Sequence, residues 1–134
     1  MSAYDRLIEA IFGGDLDGVR AVLAGGLPTL PRPAATTPLY LAAVQDETEI
    51  AQLLLDAGAD PNEISRVDET EGTPLCAAAS HGHSETVRVL LEAGADPDLR
   101  DPVVAGDEIG RCPRDWAQLS GDDETIRLLG RASG

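Results

Sequence analysis

Apolar residues along this chain recur at helical spacing and in short runs. Val87, Leu90 and Leu91 fall three and four residues apart and give one apolar face. Leu7, Ala10, Val19, Val22 and Leu23 do the same near the start, and Ile126 and Leu129 near the end. Polar and glycine-containing stretches separate these segments, and no apolar run approaches the roughly 18 residues of a membrane span. Helices are therefore predicted near 5–13, 15–25, 37–45, 47–57, 73–81, 84–93, 113–120 and 122–130.

The segments are copies of one another. Thr37-Pro38-Leu39-Tyr40-Leu41-Ala42-Ala43 recurs 36 residues later as Thr73-Pro74-Leu75-Cys76-Ala77-Ala78-Ala79. Leu53-Leu54-Leu55-Asp56-Ala57-Gly58-Ala59-Asp60-Pro61 returns at the same spacing as Val89-Leu90-Leu91-Glu92-Ala93-Gly94-Ala95-Asp96-Pro97. Self-similarity at such a period implies a solenoid. Thr37 and Thr73 suit an N-cap, where the hydroxyl accepts from an orphan helix-start amide. Pro38 and Pro74 then fill the first helical position, where a missing N–H is harmless. Small residues Ala42, Ala43, Ala78 and Ala79 permit close helix approach. Gly82 supplies a left-handed turn after the first helix, and Gly58 and Gly94 close the second helices.

This pattern resembles the ankyrin repeat, whose hallmark is a T-P-L-H-x-A run within about 33 residues. The resemblance covers residues 3–131 and implies an all-α ankyrin-repeat solenoid of about four helix–turn–helix repeats with extended finger loops. One domain, 1–134, is expected, with repeats near 3–34, 35–70, 71–109 and 110–134. Tyr40 and Cys76 replace the family's His, which alters its capping network. The first copy aligns Gly14 with Gly82 and lacks Thr-Pro. In the last, Cys112-Pro113-Arg114-Asp115-Trp116-Ala117 stands for T-P-L-x-x-A, with Arg114 in place of the core Leu. Pro74 and Pro113 are 39 apart, so the third finger is lengthened around 102–107.

Composition changes this picture mainly through charge. Aromatic residues are 3% of the chain, so its core is built from Leu, Ala, Val and Ile. Against 24 Asp and Glu stand 10 basic residues, all Arg, for a net charge of −14. That field repels nucleic-acid phosphates and anionic membranes and attracts basic surfaces, although acidity can also serve solubility alone. Arg without Lys, beside abundant Ala, Gly and Asp, looks like GC-rich bacterial coding. No secretory signal is visible at the N-terminus, so a soluble, cytoplasmic monomer is expected. Cys76 and Cys112 do not form a disulfide framework, and Cys76 is expected to be a small buried side chain.

Candidate chemistry is sparse. His81-Gly82-His83, with Glu85 and Glu92 nearby, could suggest a metal, but His83 is better read as a capping and packing residue. Acid pairs such as Asp122-Asp123 and Glu69/Glu71 lie on turns and fingers and read as solvated faces. Trp116 reads as packing over the core end rather than as an exposed anchor. No phosphate loop, nucleophile elbow, metal motif or basic stripe appears. No catalytic residue, metal or cofactor is therefore expected, and the chain is expected not to be an enzyme.

The resemblance instead implies a protein–protein interaction module that binds through finger tips and the exposed ends of the first helices. Mapped here, those positions are Val44, Gln45, Arg66, Asp68, Glu69, Glu71, Ser80, His81, Val103, Val104, Asp107, Glu108, Ile109 and Arg111. The expected partner is a basic protein, not nucleic acid or membrane. Alternatives are an inhibitor or immunity protein that neutralises a basic toxin or nuclease, and an enzyme with a finger-lined acidic cleft.

Overall fold

The computed structural model describes residues 2–30, 36–65, 72–100 and 111–132. Among them the chain is all helical, with no strand. The elements are α1 (Ala3–Phe12), α2 (Leu16–Leu23), α3 (Pro38–Val44), α4 (Thr48–Asp56), α5 (Pro74–Ser80), α6 (Ser84–Glu92), α7 (Pro113–Ser120) and α8 (Asp123–Ala132). Each predicted helix is present, with ends that differ by at most two residues.

Local chemistry sets those ends. Thr37 Oγ1 accepts from the Tyr40 amide at 3.3 Å, and Thr73 Oγ1 from that of Cys76 at 3.0 Å. Pro38, Pro74 and Pro113 open their helices. Between the two helices of each repeat the backbone turns through the left-handed region. Gly14, Gly82 and Gly121 occupy that position at φ 65°, 69° and 74°. In the second repeat the same position is Asp46, at φ 57°, where a side chain costs energy that glycine does not. Its carboxylate compensates by accepting from Thr86 Oγ1 of the next repeat at 2.9 Å, and Thr86 Oγ1 lies 2.9 Å from Thr48 Oγ1.

Consecutive helices pair as α1/α2, α3/α4, α5/α6 and α7/α8. The first helices then pack in one row, α1–α3–α5–α7, and the second in another, α2–α4–α6–α8. A single core runs between the rows. Leu7, Ile11, Ile50, Leu54, Leu90 and Leu129 are fully buried in it. Ala42, Ala43, Ala78 and Ala79 are buried too, so short side chains carry the close contacts between first helices. Cys76 and Cys112 are buried and are not joined in a disulfide. No helix among the described residues is long and apolar enough to cross a membrane.

One expectation about a side chain needs correction. His83 does not cap its own helix; α6 starts without a side-chain cap bond. Its Nδ1 lies instead 3.1 Å from the Ala43 carbonyl of the preceding repeat. Because a carbonyl only accepts, Nδ1 carries the hydrogen. Arg114, at the position where earlier repeats have Leu39 and Leu75, reaches Asp98 at 3.1 Å and so serves a finger rather than the core alone.

Candidate partner-binding surface

The first-helix row ends in a repeated position. Two residues before the left-handed turn come Phe12, Val44, Ser80 and Leu119, and one residue before it Gly13, Gln45, His81 and Ser120. The fold thus brings four of the predicted contact residues, Val44, Gln45, Ser80 and His81, into one line across neighbouring repeats.

They are not equally available. Gln45 Nε2 donates to the Ile11 carbonyl at 3.1 Å, which ties that side chain to the end of α1. Ser80 Oγ donates to the Ala77 carbonyl at 2.9 Å. His81 Nδ1 lies 2.9 Å from the same carbonyl and 3.0 Å from Ser80 Oγ, so its hydrogen is on Nδ1 and Nε2 is the ring's open nitrogen. The His81 ring is exposed and stacks on His83, centroids 5.4 Å apart. With both Nδ1 atoms directed at carbonyls, the pair offers two Nε2 atoms. Among the described residues no group of three or more His, Cys, Asp or Glu gathers to hold a metal ion.

Arg111 is exposed, its guanidinium carbon 5.3 Å from the Trp116 ring centroid, a cation–π arrangement. Trp116 is half-buried and packs on the core, as expected. Arg66, Asp68, Glu69, Glu71, Val103, Val104, Asp107, Glu108 and Ile109 lie outside the described residues. The finger bases beside them repeat faithfully. Asp60 accepts from the Asn62 amide and Asp96 from that of Asp98, both at 2.9 Å. Asn62 crosses to the next repeat, donating to the Gly94 carbonyl at 3.3 Å and accepting from the Asp96 amide at 2.7 Å.

Among the described residues, Asp115 and Asp122 have carboxyls displaced below their ordinary range. Asp115 is lowered chiefly by the Cys112 amide, against some desolvation, with help from the Cys112 thiol, Arg100 and Arg111. Asp122 is lowered by the hydroxyl and amide of Thr125, which outweigh desolvation, and by Arg127. These are helix-start carboxylates held ionised by the donors they accept from. A general acid would need the opposite shift.

Several surface features were not anticipated. A groove of about 380 Å³ opens between α1 and α3, lined by Tyr4, Ile8, Phe12, Tyr40, Leu41 and Val44. A second, of about 790 Å³, lies at the N-terminal end of the stack over small residues such as Ala10, Gly18 and Ala21. Phe12 and Leu119 are 66% and 65% exposed, and they share one repeat position. The match of Gly14 with Gly82 would have placed Phe12 beside Val44 and Ser80 in sequence.

Comparison with known proteins agrees with this geometry. The family model for ankyrin repeats, in three copies, matches residues 7–101. Among curated proteins, the chain is similar to GA-binding protein subunit beta-2 of Mus musculus, 38% identical over 65 residues. The subunits of Bos taurus and Homo sapiens give the same identity over the same length. The matched stretch is 48% of this chain but 16% of the mouse protein and 14% of the other two, so the chain corresponds to a small part of these relatives. With the model spanning most of the described helices, the chain belongs to the ankyrin-repeat family, whose members are protein–protein interaction modules.

Proposed function

We propose that this chain binds a basic protein partner along its first-helix row and adjoining fingers. Charge is the observation that carries the choice of partner. With 24 acidic residues and 10 arginines, at least 14 carboxylates have no arginine of their own chain to match them one to one. The described arginines are themselves largely engaged. Arg20 meets Asp17, Arg88 meets Glu85 and Glu124, Arg100 meets Asp115, Arg114 meets Asp98 and Arg127 meets Glu124. The surplus is a field that draws in cationic surfaces and repels phosphate and anionic lipid.

The curated relatives are by name subunits, and only the role of joining another polypeptide is carried over to this chain. Neither Asp115 nor Asp122, both lowered, is suited to act as a general acid. The test is capture on the immobilised chain, then reconstitution with the purified partner across a salt series. A basic partner whose on-rate falls at least about tenfold from low to high salt supports the reading. An acidic partner, or a salt-independent on-rate, overturns it.

A further inference from the structure

Only four residues of this chain are Phe, Tyr or Trp, and three of them, Tyr4, Phe12 and Tyr40, line the same groove between α1 and α3. From this we infer that the groove is the anchor site of the interaction surface: it takes a large apolar side chain from a partner segment that carries Lys or Arg beside it. The inference rests on the protein-binding reading above and names what that surface recognises.

Tyr4, Ile8 and Phe12 recur every four residues and form one stripe on α1. Tyr40 and Val44 form the matching stripe on α3. A stripe that served only the core would be covered, yet Phe12 is 66% exposed while Leu7 and Ile11, on the adjacent face, are fully buried. The wall is preset: Tyr4 Oη donates to the Thr36 carbonyl at 2.7 Å, which fixes the ring before anything binds. Rigid aromatic walls around an apolar floor are the usual make-up of an interface anchor pocket.

Charge at the rim selects the neighbours of the anchor. Exposed Asp5 stands one step around α1 from the stripe, in a chain whose net charge is −14. Arg6, the basic residue of α1, lines the other groove together with Glu9. A segment entering here therefore meets apolar floor and acidic edge together, which suits an apolar residue flanked by basic ones.

The experiment is selection of a randomised linear peptide library on the immobilised full chain, followed by titration of the enriched peptides. The expected sequences join a Phe, Trp, Leu or Ile to neighbouring Lys or Arg. Phe12→Ser should weaken them at least tenfold, and Phe12→Leu much less. Leu119→Ser, equally exposed at the same repeat position but outside the groove, should leave affinity within about twofold and so rules out general stickiness. Asp5→Asn should lessen the salt dependence. Unchanged melting curves confirm that the variants fold. Enriched peptides without basic residues, no enrichment, or indifference to Phe12→Ser each overturn the proposal. So does a self-association that Phe12→Ser abolishes, since the groove would then serve a second copy. Binding that maps instead to Ser80 and His81 sinks this site while leaving the wider reading intact; a chain that binds no polypeptide on any face sinks both.

Discussion

At the scale of single residues, stability is concentrated in the seams between repeats. Leu54 and Leu90 occupy the same repeat position and are fully buried. Leu90→Ala removes that burial and leaves a cavity that flanking helices fill only partly, so it should cost roughly 2–5 kcal/mol. Chemical denaturation at neutral pH measures it; an unchanged midpoint would mean the seam closes around the smaller residue. Asp46 gives a subtler case. It holds a left-handed backbone and also accepts from Thr86 across the seam. Asp46→Gly loses the bond but relieves the backbone, whereas Asp46→Ala loses the bond and keeps the strain. The alanine variant should therefore be the less stable of the two by about 1 kcal/mol. Equal stabilities would show that the turn is not strained.

At the scale of elements, the helices were legible because their punctuation is local. Thr37-Pro38 and Thr73-Pro74 start helices by bonds that span three residues, and Gly14, Gly82 and Gly121 end them through backbone freedom alone. What connects one repeat to the next was not legible. Position for position, the second helices are preceded by Asp15, Glu47, His83 and Asp122. Asp15 and Asp122 cap their own helices. Glu47 and His83 do not, and His83 reaches a carbonyl 40 residues away. Which of these a residue does depends on seam geometry, and no spacing within one repeat encodes that. Asp122 makes its capping role testable by pH. Because Thr125 holds its folded carboxyl below the ordinary range, the unfolded chain takes up the proton more readily. Its contribution is complete above the unfolded value and is lost as pH falls through the folded one. Asp122→Asn can still cap but does not titrate. The stability gap between wild type and this variant should therefore be constant near neutrality and shrink below about pH 4. Urea titrations along that pH range decide it, and a gap that stays constant into acid would remove the capping bond from the account.

At the scale of the whole molecule, the family was legible and the partner surface only partly so. The alignment placed Val44, Gln45, Ser80 and His81 in one row, because repeat register fixes which first-helix ends are neighbours. It passed over Tyr4, Phe12 and Tyr40, because their groove exists only once α1 and α3 are packed side by side. The remaining question is whether the surplus charge steers a partner or merely keeps the chain dispersed. Asp68, Glu69 and Glu71 fall in sequence between α4 and α5, in the finger that the repeat pattern predicts, so replacing all three with Arg is expected to spare the seams. The change shifts the local charge by six units. At about 0.1 M salt the Debye length is near 10 Å, long enough for a finger to act on an approaching cation; at 1 M it is about 3 Å. If steering operates, the triple variant should associate with a basic partner at least about tenfold more slowly at low salt, while dissociation changes little. The two proteins should then converge at high salt, where neither field reaches the encounter. Melting midpoints should stay close, since surface ion pairs contribute about 0–1 kcal/mol each. Stopped-flow association at several salt concentrations separates the cases. An unchanged on-rate at low salt would assign the acidity of this finger to solubility and leave recognition to the apolar groove alone.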